Sequence, residues 1–356
     1  MKEVLEKSAA AGAKQFAGST SRKFNYYQPK GRRATLYEDV TVDVQPDPKR
    51  YLLQDWIISF ADGTPAYCET RTDIKSSDWH VFRDPNGEWE RTHYIRQSGI
   101  EKQVSLTIEN ARKENAFENL DKTWIKVLQD HFGASKHPEY GLGMLFQSAQ
   151  RDGMSQMINN AILVNSSDKL RYAQDIALYM MEIAQDIDQL NEAAGKENWL
   201  NHPLWQGTRE VVEHLPASTD WAEQVFAANL VYEPLVGELF RSGFLMQFAA
   251  SHGDYVTPTL VSTAEADFER NLAYSVEMFA TFLNDPQYGD HNKRTVQNWL
   301  KKWVPMCVQA ANQLQPIWSQ PRVKVTTFVD SNTRAKERFS SILEQLNLKL
   351  PEEVKL

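Results

Sequence analysis

From residue 103 to residue 314 this chain is written almost entirely in helical period. The segments 103–115, 119–132 and 141–164 carry apolar residues three and four apart, the spacing that lines one face of a helix. Ser167 or Asp168 is predicted to cap a following helix that reaches Asn191. Its expected buried stripe is Leu170, Ala173, Ala177, Met180, Met181, Ala184, Ile187 and Leu190. A short helix is predicted over 208–214. Asp220 is expected to cap a long helix to Ala250, kinked at Pro234. Further helices are predicted over 263–283, 295–314 and 332–346. Neither a glycine-rich phosphate loop nor a β-α-β alternation interrupts this run, which excludes the nucleotide-binding α/β folds and predicts an all-α fold.

The ends differ. Residues 1–34 read as an extended arm, polar and basic, with Tyr26, Tyr27, Pro29 and Gly31 against helix formation. Residues 35–98 hold the turn chemistry, from Pro46 and Pro48 to Asp84-Pro85 and Asn86-Gly87, and are predicted to be an irregular segment packed on the helical core, with a few short helices or strands and Val40–Val44 as a candidate extended piece. Residues 99–356 form the expected helical domain. The formal charge of −8 argues against nucleic acid or an anionic membrane as partner. No run of eighteen apolar residues predicts a membrane span. The first seventeen residues lack the apolar core of a secretory signal. Cys68 and Cys307, far apart, suit a reducing cytoplasm and make neither a disulfide framework nor a cysteine metal cage.

Two stretches carry the outline of a di-iron carboxylate site. Glu139-Tyr140 precedes Asp168-Lys169-Leu170-Arg171-Tyr172, and Glu233-Pro234 precedes Asp267-Phe268-Glu269-Arg270-Asn271. A ferritin-like di-iron site needs a lone Glu followed by Glu-x-x-His, twice, from facing helices. Here the two Glu-x-x-His positions read Lys169 with Tyr172 and Phe268 with Asn271. An ammonium repels iron, a phenyl ring offers no donor, and Tyr or Asn replaces imidazole poorly.

On these residues the chain resembles the beta (small hydroxylase) subunit of the bacterial multicomponent soluble di-iron monooxygenases. The framework stretches Gly143-Met144-Leu145, Ser148-Ala149-Gln150 and Gly253-Asp254 to Thr257-Pro258-Thr259 match that family's iron-bearing alpha pattern. Laid over it, the ligand positions fall on Glu139, Lys169, Tyr172, Pro234 (beside Glu233), Phe268 and Asn271. The beta-like stretches run from Tyr37-Glu38-Asp39 and Gln45-Pro46-Asp47-Pro48 through Trp79-His80 to Asn284-Asp285, most similar to the propane and cyclic-ether branch. The resemblance implies a ferritin-like bundle without catalytic, cofactor-binding or metal-ligating residues of its own. It also implies an alpha partner holding the di-iron centre, an alpha2beta2 assembly, and a reductase and coupling protein that deliver electrons from NADH.

The residues leave rivals open. Glu139 with Lys169 forms a buried pair, or Glu139 is an exposed residue at a helix start. Glu233 and Glu238 with Arg241 salt-bridge to Arg171 or Arg270, or are ordinary helix-face charges. Glu90-Arg91-Thr92-His93 is the lone Glu-x-x-His, and a metal enzyme in its own right would build on it with Glu139 and Glu233. A stand-alone helical binding module is the third reading. Trp56, Trp79 and Trp89 are interface or core candidates.

Overall fold

The computed structural model describes residues 34–42, 68–188 and 190–356. The expectations for the N-terminal arm before residue 34, for Gln45 to Pro48 and for Trp56 lie outside the described residues.

Among the described residues the chain is helical and no strand occurs. The first helix, α1 (Leu36–Val42), is one of the short helices expected in this segment and overturns the extended reading at Val40 to Val42, the rest of that piece lying outside the described residues. Its cause is a capping box: the Glu38 carboxylate accepts from the Thr35 N–H at 2.8 Å, and Thr35 Oγ1 accepts from the Glu38 N–H at 3.2 Å. Helix α2 (Glu90–Lys113) begins nine residues before Gly99, since nothing after the left-handed Gly87 forbids a helix and Thr92 closes its first turn onto Trp89.

Helix α3 (Lys122–Val127) is capped by Asp121 and passes through a π-turn (Leu128–Phe132) into α4 (Gly133–Asp152). The single helix expected over 141–164 is two. Gly153 is extended and ends α4, and Ser155 Oγ accepts from the Ile158 N–H to start α5 (Gln156–Ile183). Neither Ser167 nor Asp168 caps anything; both lie inside α5. After α6 (Ala193–Asn201) and α7 (Pro203–His214), Asp220 caps the next helix as expected, its Oδ1 accepting from the Ala222 and Glu223 N–H groups. That helix, α8, runs from Trp221–Val225 through a long π-helical stretch (Phe226–Gly237) and a second one (Arg241–Leu245) to Met246–Phe248. The kink expected at Pro234 is spread over this wide register, where a residue without an N–H is accommodated. Helices α9 (Val256–Leu283), α10 (Gly289–Leu314) and α11 (Phe328–Gln345) complete the chain.

Helices α4, α5, α8 and α9 pack as the central bundle. α10 lies over α7 and α8, α11 over α8, and α2 crosses α5 and α9. Trp124, Trp205, Trp221 and Trp303 are fully buried. Trp79, partly buried, packs edge-on to Phe282 at 5.4 Å and against Trp221, at the margin of the core. Backbones touch where α6 crosses α4: a Cβ at Gly195 would stand 2.5 Å from the Gly133 carbonyl carbon, so only glycine fits.

His131, in the π-turn, is held neutral. Its Nδ1 accepts from the Trp205 indole N–H at 3.2 Å, which leaves Nε2–H to donate to Gln320 at 2.9 Å. Burial pushes its pKa down to about 4. The unfolded chain therefore binds a proton here before the folded one does, and stability falls as pH drops from about 6.5 to about 4. The expected loss is roughly 3 kcal/mol across that window. Denaturant unfolding as a function of pH measures it, and His131→Gln should remove that part of the acid limb. An unchanged acid limb in the variant would contradict the assignment.

Candidate functional site

The two Glu hairpins meet in the middle of the bundle. α4 brings Glu139, α5 brings Lys169, and the π-helical part of α8 brings Glu233 and Arg241; all four are buried. Lys169 Nζ donates to Glu139 at 2.8 Å and to Glu233 at 2.6 Å. Arg241 donates through Nη1 to the other oxygen of Glu139 at 2.8 Å and through Nη2 to the other oxygen of Glu233 at 2.6 Å. Its Nε donates to Glu265 at 2.6 Å. Each inner carboxylate thus lies between the same ammonium and the same guanidinium.

These contacts set the charges. Burial opposes the charge on Glu233, but Arg241 and Lys169 outweigh it and hold the carboxyl below its usual range. Burial likewise opposes the charge on Arg241, and Glu233, Glu265 and Glu139 raise its pKa well above the ordinary value. The Phe268 ring lies 5.7 Å from the guanidinium carbon, and its face adds a weak cation attraction.

Of the positions singled out in the sequence, Glu139 and Lys169 form the buried pair, and the exposed reading of Glu139 is overturned. The frame on α8 moves by one residue: Glu233, not Pro234, points into the cluster. Arg241 reaches Glu233, and neither Arg171 nor Arg270 does. Arg171 pairs with Asp175 and Asp267, and Arg270 stands 3.7 Å from Glu88. Glu238 lies apart, 3.7 Å from Arg338, its pKa pushed up to about 7 by burial and by Glu265. Tyr172 is buried with an unbonded hydroxyl, and Asn271 donates to Asp168 at 3.3 Å. Glu90 is exposed while His93 is buried 3.7 Å from Asp168, so this Glu-x-x-His points two ways.

Beside the cluster stands a second network that sequence reading missed. Arg96 of α2 donates to Glu88 at 2.8 Å, to Asp168 of α5 at 3.1 Å and to Asp267 of α9. Gln97 also donates to Asp168, at 2.8 Å. The repeated Asp-x-x-Arg spacing was the available signal: both aspartates face one guanidinium that a distant helix supplies.

This donor set does not suit two iron ions. Iron needs carboxylate and imidazole lone pairs free to bind. Here the lone pairs of Glu139 and Glu233 are taken by two cations, and Phe268 contributes none. Among the described residues no three or more His, Cys, Asp or Glu side chains converge on a metal position.

Residues 56–286 match the family model described as methane/phenol/alkene hydroxylase. The chain is 46% identical over 345 residues to the propane 2-monooxygenase hydroxylase component small subunit of Mycolicibacterium goodii, covering 97% of this chain and 94% of that protein. It is 25% identical over 321 residues to the methane monooxygenase component A beta chain of Methylosinus trichosporium, covering 87% of this chain and 82% of that one. Among solved structures, phenol hydroxylase from Pseudomonas sp. OX1 superposes with a TM-score of 0.74 at 18% identity, covering 95% of this chain and 99% of that one, which establishes the fold.

Proposed function

Since the chain belongs to the methane/phenol/alkene hydroxylase family, we propose that it is the small, non-catalytic beta subunit of a propane-monooxygenase-like hydroxylase. It serves an oxidoreductase that hydroxylates small alkanes with O2 and NADH. The di-iron chemistry belongs to an alpha subunit, two alpha-beta pairs make the hydroxylase, and a reductase and coupling protein deliver electrons. The protein works in the cytoplasm; among the described residues no helix is long and apolar enough to cross a membrane.

One observation carries the division of labour. The two carboxylates that remain from the iron frame, Glu139 and Glu233, are both neutralised by Lys169 and Arg241. A subunit wired this way keeps the bundle rigid without a metal and offers it as a buttress for a partner. Co-expression with the large subunit of the same system tests the proposal. The complex is expected to turn over propane and to contain about two iron ions per alpha-beta pair, the stoichiometry of a single di-iron site. This chain purified alone should carry none. Stoichiometric iron in the isolated chain would overturn the reading, as would full propane turnover by the large subunit without it.

A further inference from the structure

The stripe expected to be buried on α5 is not all buried: Met181 stands outside, together with two leucines of the same helix that the stripe did not include. Met181 is 53% exposed, Leu178 49% and Leu163 40%. With half-buried Leu170 they succeed one another at helical spacing, and Ser167 and Gln174 occupy the two positions between. From Leu163 to Met181 this is five turns of one helix face, about 27 Å. α4 lies alongside, with Gly143 so near Leu170 that a Cβ there would stand 2.6 Å from its side chain. α4 adds Tyr140, 57% exposed, and Met144, 47% exposed. Between Lys136 and Arg151, which stand at the two ends of the α4 line, no charged residue occupies this outer face. The nearest charges on α5, Arg171, Asp175 and Glu182, lie along one flank, where Arg171 bonds to Asp175 and to Asp267 of α9, and Glu182 pairs with Arg112 of α2. A chain with 24% charged residues that keeps five turns of the outer α5 face free of charge is avoiding a desolvation cost at that face.

We propose that the outer face of the α4–α5 hairpin docks an apolar helical face of the large hydroxylase subunit, with Leu163, Leu170, Leu178, Met181, Tyr140 and Met144 as its anchors. This rests on the reading of the chain as a small subunit. The size fits. Two adjacent helices present a strip about 20 Å wide and 27 Å long, roughly 500 Å², over half of the ~800 Å² that one partner contributes to a stable interface. The hairpin also carries Glu139 and Lys169 on its inner side. The ion cluster thus stiffens the helices that the partner would grip.

The full chain carrying Leu163→Glu and Leu178→Glu together, co-expressed with the large subunit, tests the surface. Both side chains are already exposed, so the isolated chain should keep its helical circular dichroism and unfolding midpoint. Val329→Glu on α11, at a residue 67% exposed on another helix, is the control. The double variant is expected to lose co-elution with the large subunit, with affinity down at least tenfold, while the control co-elutes like the wild type. A double variant that co-elutes normally overturns the docking face and leaves the functional reading intact. A wild-type chain that does not co-elute overturns both. If the wild-type chain alone forms a dimer that the double substitution abolishes, and co-elution survives, the face belongs to a second copy and the proposal falls.

Discussion

Replacing Lys169 by Met is expected to cost about 3–5 kcal/mol of stability, the usual loss when one partner leaves a buried ion pair and the other stays charged. The side chains are similar in length, so packing changes little, and the loss is electrostatic. Without the ammonium, Glu139 and Glu233 share Arg241 alone, and Arg241 is already shared with Glu265. Glu233 suffers most because it is fully buried. A second change should relieve the first: Glu139→Gln combined with Lys169→Met removes one buried negative charge with the positive one and is expected to recover more than half of the loss. The unfolding midpoints of the wild type, both single variants and the double variant give the coupling directly. If Lys169→Met falls within about 1 kcal/mol of the wild type, or the two changes simply add, the cluster does not hold the bundle in the way described.

Arg96→Met should cost about 3 kcal/mol, a smaller figure within the same reasoning because the guanidinium is partly exposed. Its effect should be local first. α2 buries only His93, Val104, Ile108 and Ala111 along its length, and Arg96 ties it at once to α5 and α9. Amide hydrogen exchange is therefore expected to quicken along α2 before it does in α5 or α9. The pH dependence has a definite sign. Burial and Asp267 raise the Asp168 carboxyl, while Arg96 and then Arg171 oppose them. Losing Arg96 lifts it further, so the folded variant binds a proton that the unfolded chain releases, and its stability falls as pH rises. With the Asp168 carboxyl already pushed up to about 8, the extra penalty grows only as pH rises above that value, so the variant should lose more at pH 9 than at pH 6. Equal penalties at both values, or uniform exchange over the whole bundle, would contradict this account.

Much of the architecture was legible because it is local. Helical period, the Asp220 cap and the scarcity of breakers after Gly87 dictate helices whatever surrounds them. The misreadings were also local in origin. The Thr35-x-x-Glu38 box sits at the edge of a turn-rich stretch that hides it, and the break at Gly153 with Ser155 is masked by apolar spacing that continues across it. At the site, residue types alone put Lys169, Tyr172, Phe268 and Asn271 where the resemblance expects Glu and His. They did not show what replaced them. Arg241 lies eight residues beyond Glu233, and only the packing of α4 and α5 against that side of α8 brings both side chains into one centre with Glu139 and Lys169. Arg96 lies on a helix that the turn-rich composition before it concealed.

By itself the sequence determined the helical class, the paired Glu frame and the family to which these belong, since each is set by residue type and spacing along the chain. Tertiary structure alone decided which cations neutralise Glu139 and Glu233, and which side of α5 is left uncovered. Those outcomes depend on through-space distances between helices far apart in sequence, where an ångström or two separates a buried ion pair from an unpaired charge.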